Sequence, residues 1–329
     1  MRILIAYDGS DCANRAIDDL RRAGLPPEAE AVVISVADVL LPVPPPSSYE
    51  LVEAAVSNNV PSVTKDARER ALRAVGEARE LALAGTERLK AHFPLWQVRA
   101  EAYGDSPAWG VIKKAEESKA DLVVVGSHGR TAMGRFFLGS VSHKIVTNAP
   151  CTVRISRNPV IQNDSTVRIL VGIDGSPGAE AAVRAVCERD WPPGSEARLV
   201  AVLDPMMITV VEWIKDDDQD ERAWVERMAE ALEEKLRAAE LVVSSVIING
   251  DPKRLLVDEA EQWGADSIFV GARGLRLIDR LLLGSVSAAV AERAHCSVEV
   301  VRNPLGNSFM NSSGEENEWI GVYSLRHLA

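Results

Sequence analysis

The 329-residue chain is poor in cysteine and aromatic residues, and positive charge is not in excess. Its four cysteines form neither a CxxC pair nor a cluster with metal-ligand spacing, so neither a disulfide framework nor a zinc module is indicated. Lys and Arg number 37 against 48 Asp and Glu, a net charge of −11. This balance argues against binding nucleic acid through its phosphates.

Long apolar runs are also missing. No stretch approaches the roughly 20 apolar residues that a membrane-spanning helix needs. The first residues, MRILIAYDGS, hold a short apolar run that Asp8 interrupts, which is unlike a secretory signal. We therefore expect a cytoplasmic protein with free thiols that binds neither nucleic acid nor a membrane.

Two segments of the sequence occur twice. RILIAYDGS at 2–10 returns as RILVGIDGS at 168–176, and ADLVVVGSHGR at 120–130 returns as ADSIFVGARGL at 265–275. Two copies of one unit are therefore predicted. The predicted divisions are a first domain at 1–157, a polar linker at 158–166, a second domain at 167–303 and a partly disordered tail at 304–329.

Each copy alternates short apolar segments, typical of buried strands, with amphipathic segments typical of helices. Arg2–Tyr7 is the first such strand, and Ser10 is the predicted N-cap of the helix that follows. Strands that alternate with helices predict a parallel sheet with helices on both faces. Residues 41–63, which open with four prolines in five positions, do not repeat and predict an excursion loop.

The strongest local pattern is a pair of glycine loops, G-x2-G-x9-G-S, each between a strand and a helix. Glycine permits positive φ and close approach of a phosphate to the backbone, and a helix start offers free N–H groups. Serine at the helix start could cap the helix or bind a phosphate oxygen. The loop residues are Gly126, Gly129, Gly139 and Ser140 in the first copy, and Gly271, Gly274, Gly284 and Ser285 in the second.

Other interpretations of these residues remain open. The glycines could be turn and cap residues only, although identical spacing in both copies favours an anion site. Asp8 and Asp174 follow the first strand of each copy, where a carboxylate could accept bonds from a ribose, hold a metal, or form an Asp-Gly-Ser turn. The sequence has neither a P-loop nor a GxGxxG motif, so two common phosphate-binding classes are excluded.

Further residues carry weaker signals. His128 lies inside the first glycine loop, where a solvent-facing contact is favoured over a catalytic base because no nucleophile accompanies it. Arg130 could reach a phosphate or be a solvated surface residue. Cys151 and Cys296 precede the last strand of each copy and are expected to be buried structural thiols.

The motif GSHGRTAMGRFFLGSVSHKIVTNAPCTVRI at 126–155 resembles the nucleotide-loop signature of the universal stress protein family, in its tandem two-domain form. The resemblance covers both copies and implies the adenine nucleotide alpha hydrolase-like fold. That fold is a five-stranded parallel sheet of order 3-2-1-4-5 with helices on both faces. It also implies that the last strands, Thr152–Ile155 and Ser297–Val301, pair within one chain as a pseudo-dimer, and a homodimer of chains is an open possibility.

The resemblance further implies a site for adenine nucleotide, with ATP and Mg²⁺ as candidate ligands. The loop glycines and Ser140 would hold the phosphates, Asp8 the ribose, and the backbone of Val36 the adenine. Val202 is the counterpart of Val36, and Asp174 that of Asp8. The second copy departs from the signature because Leu275 replaces Arg130, which puts its side-chain contacts in doubt.

These observations predict a nucleotide-binding stress or signalling module rather than a fast enzyme, since no positioned general base is evident. Two other functions stay open. One is a slow nucleotide hydrolase or nucleotidyl transferase on the same fold, and the other is an interaction protein with degenerate sites.

Overall fold

The computed structural model describes residues 1–39, 62–129, 138–157, 166–204, 221–274 and 283–302. Most of the predicted excursion loop, the predicted linker apart from Thr166, and the predicted tail lie outside these residues. The elements of the first copy are β1 (Arg2–Ala6), α1 (Asp11–Asp19), β2 (Glu30–Asp38), α2 (Ser62–His92), β3 (Gln97–Asp105), α3 (Pro107–Glu117), β4 (Leu122–Gly126), α4 (Ser140–Asn148) and β5 (Thr152–Ser156).

The second copy repeats this order from Arg168 onward. Its elements are β6 (Arg168–Ile173), α5 (Pro177–Cys187), β7 (Glu196–Leu203), α6 (Glu221–Ala238), β8 (Val242–Asn249), α7 (Pro252–Trp263), β9 (Ser267–Gly271), α8 (Ser285–Arg293) and β10 (Ser297–Val301). The predicted strand–helix alternation is confirmed in both copies, and the first strand, predicted at Arg2–Tyr7, is observed as Arg2–Ala6.

Helix ends follow the local chemistry of the sequence. Ser10 and Ser176 are the N-caps of α1 and α5, and each hydroxyl accepts a bond from the backbone N–H three residues later. Asp251 caps α7 through the N–H of Lys253, and Gly264 ends that helix with a φ of 70°. The predicted cap at Ser10 is therefore confirmed.

The ten strands form one sheet in the order β3-β2-β1-β4-β5-β10-β9-β6-β7-β8. Within each copy all neighbouring strands are parallel, in the predicted order 3-2-1-4-5. The two copies meet where β10 pairs with β5 in the antiparallel sense, with Val298 opposite Ile155 and Val300 opposite Val153. The predicted intrachain pairing of the last strands is thus confirmed. We call this boundary between β5 and β10 the seam.

The two faces of the sheet are packed differently. One face carries a single apolar core that runs across the seam and includes α3, α4, α7 and α8. The other face carries two separate cores, one under α1 and α2 and the other under α5 and α6. Side chains of a strand alternate between faces, so Val153 and Ile155 enter the shared core while Arg154, between them, points to the other face.

Candidate functional site

The first element of the candidate site is the Asp-Gly-Ser bend that follows β1. Asp8 Oδ1 accepts a hydrogen bond from the N–H of Ser10 at 3.0 Å, and Ser10 Oγ then accepts from Ala13. Gly9 has a φ of 76°, a conformation that glycine adopts without strain. One carboxylate oxygen is therefore used by the turn itself, which supports the turn interpretation of Asp8 without excluding a ligand at its other oxygen.

The second copy builds the same bend after β6. Asp174 Oδ1 accepts from the N–H of Ser176 at 3.0 Å, and Gly175 has a φ of 77°. Here the bend is covered from α6, because a Cβ on Gly175 would lie 2.7 Å from the Trp224 ring and 3.3 Å from Met228 Sδ. The two copies thus share the backbone of the bend.

The second element is the loop between β4 and α4. The N–H of Gly139 donates to the carbonyl of Ser127 at 2.8 Å, and Ser142 Oγ donates to the carbonyl of Gly126 at 2.7 Å. These bonds fasten the start of α4 to the end of β4. Since β4 pairs with β1, the loop and the Asp8 bend lie at the same edge of the sheet.

The loop glycines are needed for close approach rather than for positive φ. None of the six has a φ in the left-handed region, so that part of the prediction is wrong. A Cβ on Gly126 would lie 3.0 Å from the backbone of Cys12, and one on Gly129 would lie 3.1 Å from Asp8 Oδ2. Glycine at these positions lets the loop lie directly against the bend.

The glycine contacts of the second copy are tighter. A Cβ on Gly274 would lie 2.6 Å from Asp174 Oδ2, and one on Gly271 would lie 2.4 Å from the backbone of Gly178. Gly178 occupies the place that Cys12 holds in the first copy. This contact was not predicted, although Cys12 and Gly178 stand at the same offset from the repeated Asp-Gly-Ser.

The start of α4 is the strongest anion-binding feature of the loop. Gly139, not Ser140, is the N-cap, and it makes no side-chain cap bond because it has no side chain. Gly284 does the same for α8. The predicted capping role of Ser140 and Ser285 is therefore wrong, since both are first helical residues, and both are exposed. First-turn N–H groups lack intrahelical partners and attract anions.

His128 is placed differently from the sequence prediction. Its Nδ1 lies 2.7 Å from Ser127 Oγ and 4.0 Å from Cys12 Sγ. Its Nε2 is buried and has no hydrogen-bond partner among the described residues. The expectation of a solvent-facing histidine is thus wrong for this atom. A buried polar atom of this kind calls for a bound ligand or water.

The third element is the end of β2, where the structure places Val36. β1 pairs with β2 only as far as Ile34, whereas β2 continues to Asp38 beside β3. In the second copy β6 pairs with β7 as far as Ala201, so Val202 also lies beyond the end of the first strand. Val36 and Val202 therefore lie past the end of the first strand of each copy, at the carboxyl edge of the sheet outside which ligands of parallel sheets bind.

Some predicted residues are not part of this geometry. Arg130 and Leu275 lie outside the described residues. Among the residues that the structure describes, no group of three His, Cys, Asp or Glu side chains could hold a metal ion. A Mg²⁺ ion would need phosphate oxygens and water for most of its ligands, as is usual for this ion.

The cysteines outside the loop are consistent with the structural role predicted for them. Burial raises the pKa of the Cys296 thiol to about 12. The pKa of Cys151 is raised to about 12 for the same reason. A thiol with so high a pKa is a weak nucleophile at neutral pH, because the thiolate is the reactive form.

The fold and the site together define a class: a tandem α/β protein with two glycine-framed loops at the carboxyl ends of parallel strands. The sequence pattern of the universal stress protein family matches residues 1–157 and 166–302. The chain belongs to that family. In the part of the chain that the structure describes, no helix is long and apolar enough to cross a membrane.

Individual relatives agree with this assignment. A universal stress protein of Mycobacterium tuberculosis is 34% identical over 212 residues, which cover 62% of this chain and 69% of the relative. One from Thermus aquaticus is 34% identical over 155 residues, which cover 47% of this chain and 97% of the relative. The crystal structure of a universal stress protein from Archaeoglobus fulgidus has a TM-score of 0.60 at 20% identity and covers 92% of this chain and 98% of its own. At that identity the structural likeness concerns the fold.

Proposed function

We propose that the chain binds an adenine nucleotide, with ATP as the leading candidate, at the edge formed by the Asp8 bend and the β4–α4 loop. The observation that carries the proposal is the uncapped start of α4, fastened beside Gly129 and Asp8. First-turn amides and closely approached glycine backbone bind phosphate without net positive charge. This suits a chain with a charge of −11.

Each part of the nucleotide has a proposed contact in the first copy. The phosphates would bind at Gly126, Gly129, Gly139 and Ser140, and the exposed Ser140 hydroxyl could donate to a phosphate oxygen. The ribose would lie at Asp8 and the adenine against the backbone of Val36. We also place Arg130 at the phosphates on the family resemblance. The buried Nε2 of His128 supports a ligand in this region.

We propose a weaker site in the second copy, at Asp174, Val202, Gly271, Gly274, Gly284 and Ser285. The amide cradle of the start of α8 is the same. However, Trp224 and Met228 pack over the bend where the ribose would lie. The second copy also has Leu275 where the first has Arg130, the residue that we place at the phosphates, so the first copy should bind more tightly.

The biological role that we propose is a nucleotide-dependent stress or signalling module of the cytoplasm. All four cysteines are free thiols, which fits a reducing compartment. We place no catalytic residue, because Nδ1 of His128 is in contact with a serine hydroxyl rather than with a carboxylate that would orient a base.

Calorimetric titration of the full chain with ATP and Mg²⁺ tests the site. Gly129→Val is expected to weaken the tighter binding event at least about tenfold, because the added side chain meets Asp8 and fills the phosphate cradle. Gly274→Val should affect only the weaker event. Gly76→Val is the matched control, since Gly76 is exposed and a Cβ there meets nothing within 4 Å.

Mass spectrometry of small molecules released from the purified, denatured chain gives an independent measurement. Recovery of adenine nucleotide from the wild type, reduced in Gly129→Val, supports the proposal. Binding that survives Gly129→Val and Gly274→Val together would contradict the cradle assignment. Absence of any bound nucleotide would favour an interaction protein, and turnover at roughly 1 s⁻¹ or faster would favour an enzyme.

A further inference from the structure

Equivalent positions of the two copies face each other across the seam. The repeat is offset by 145 residues near its end, so residue 154 of the first copy corresponds to residue 299 of the second. In the antiparallel pairing of β5 with β10, Glu299 lies directly opposite Arg154. The two positions thus lie on the approximate two-fold axis that relates the copies. The copies carry opposite charges at this shared position.

Arg154 and Glu299 belong to a chain of four alternating charges. Arg154 donates through Nε to Asp19 Oδ2 at 2.8 Å and through Nη1 to Glu299 Oε1 at 2.9 Å. Arg189 donates through Nη2 to Glu299 Oε2 at 2.7 Å. No side chain of the four is more than 6% exposed. Burial alone would lower the pKa of Arg154, but the facing Asp19 and Glu299 raise it above its ordinary value.

The charges divide unevenly between the copies. Asp19 and Arg154 lie in the first copy, and Arg189 and Glu299 lie in the second. Near the start of the repeat the offset is 166 residues, so Asp19 corresponds to Ala185 and Ala23 corresponds to Arg189. Each copy therefore contributes one positive and one negative charge to these four, and among their three ion pairs the Arg154–Glu299 pair is the one that crosses the seam.

Side-chain sizes also differ between the two copies at the seam, where large residues of one copy contact small residues of the other. Arg189 reaches across the seam and donates to the carbonyl of Ala23, its own equivalent position. Trp191 lies against Gly24, where a Cβ would be 2.8 Å from the indole ring. The second copy thus supplies the large residues and the first copy the small ones.

The aliphatic side chains on the other face of the seam do not differ in this way. Val153 and Ile155 of the first copy correspond to Val298 and Val300 of the second, and all four enter the shared apolar core. These aliphatic side chains would pack about as well if either copy met a second copy of itself. The apolar face therefore provides adhesion, and the charged face is where a preference for one partner can arise.

Pairing of like copies would lose the contacts described above. Two first copies in the same register would place Arg154 opposite Arg154, and a guanidinium has donors but no acceptor. Two second copies would place Glu299 opposite Glu299, and Arg189 of each copy would meet Arg189 of the other where the small Ala23 now leaves room. Like charges directly opposite in a sheet are destabilising, and burial strengthens their repulsion because the surroundings are less polar than water.

We propose that the seam is a selective interface: it accepts the second copy as the partner of the first and rejects a further copy of either. Arg154 with Glu299 and Ala23 with Arg189 determine this preference. The proposal does not depend on nucleotide binding, because none of these residues belongs to the candidate nucleotide site.

Exchanging the seam residues within the full chain tests the proposal. A first variant gives both copies the seam of the first copy (Ala185→Asp, Arg189→Ala and Glu299→Arg). A second gives both copies the seam of the second copy (Asp19→Ala, Ala23→Arg and Arg154→Glu). A third combines all six changes, which exchanges the two sets and restores mixed pairing. Stability is measured by urea unfolding.

Each triple variant is expected to raise the unfolding equilibrium constant at least about a hundredfold, because the Arg154–Glu299 ion pair is lost and like charges face each other in the buried seam. The variant with all six substitutions should regain more than half of the urea midpoint that the triple variants lose, although it carries twice as many substitutions. Triple variants as stable as the wild type would overturn the proposal. The proposal would also be overturned if the variant with all six substitutions were no more stable than either triple variant.

A double-mutant cycle covers the case in which none of the three variants folds. Arg154→Leu and Glu299→Leu are made singly and together in the full chain. The double variant should unfold with a much smaller change in equilibrium constant than the product of the two single changes. The reason is that each single variant leaves Arg154 or Glu299 opposite a leucine, whereas the double variant removes both charges. A double change equal to that product would show that the two positions are not coupled, and would overturn the proposal.

Discussion

At the scale of single residues, burial keeps two equivalent thiols protonated well above neutral pH. Cys151 and Cys296 hold equivalent places before the last strand of each copy, and the pKa of each thiol is about 12 because of burial. The sequence indicated buried thiols from the apolar strands that follow them. Sequence alone could not predict the burial of His128 Nε2, because that atom is enclosed only after distant segments meet.

The thiol of Cys296 predicts a loss of stability at alkaline pH. Its pKa is about 12 in the folded chain, against 9.0 as the ordinary value, so the folded state holds the proton more tightly. The contribution to stability is complete below pH 9 and falls as the pH rises toward 12, by up to about 1.4 kcal/mol per pH unit. Cys296→Ala should flatten this part of the stability curve, as measured by urea unfolding at pH 8 to 11. An unchanged slope would show that the thiol does not contribute.

At the scale of elements, the local sequence predicted the order of strands and helices correctly. In the glycine loops it predicted the wrong conformational role for the glycines. The predicted alternation of strands and helices is observed, because apolar and amphipathic segments follow one another in the same order in both copies. The glycine loops were predicted in place, but their glycines serve close contact with Cys12, Gly178 and the Asp-Gly-Ser bends. Spacing alone does not distinguish these two uses of glycine, because both leave the same residue in the sequence.

The bend after β1 gives a prediction at this scale. Gly9 has a φ of 76°, so Gly9→Ala should lower the free energy of unfolding by roughly 1–2 kcal/mol. Gly9→Asn should cost less, because Asn tolerates the left-handed conformation better than Ala does. Thermal unfolding of the two variants compares them directly. Equal losses would mean that the backbone conformation is not what requires glycine at this position.

At the scale of the whole molecule, two repeated units form one sheet of ten strands. The repeat and the strand order followed from the sequence and its family resemblance. The charges at the seam were not predicted, although a comparison of the two copies shows Arg154 in one and Glu299 at the equivalent position of the other. Their significance depends on the register of β5 against β10, which no single copy encodes.

The continuous sheet predicts that the seam is among the last regions to open. The central residues of β5 and β10 are buried on both faces, and both strands are paired on both sides. Their amide hydrogens should exchange at the rate of global unfolding, whereas those of the edge strands β3 and β8 should exchange sooner. Hydrogen exchange followed by mass spectrometry measures this. Faster exchange in β5 and β10 than in the edge strands would mean that the copies separate before they unfold.

The antiparallel junction also fixes the directions in which the two candidate sites face. Strands within a copy are parallel, and the direction reverses only between β5 and β10. The carboxyl ends of the two sets of strands therefore emerge at opposite rims of the sheet. Two ligands held there would point away from each other, so a macromolecule docked at one rim would leave the other accessible. Any coupling between the two candidate sites would therefore have to pass through the strands and the seam.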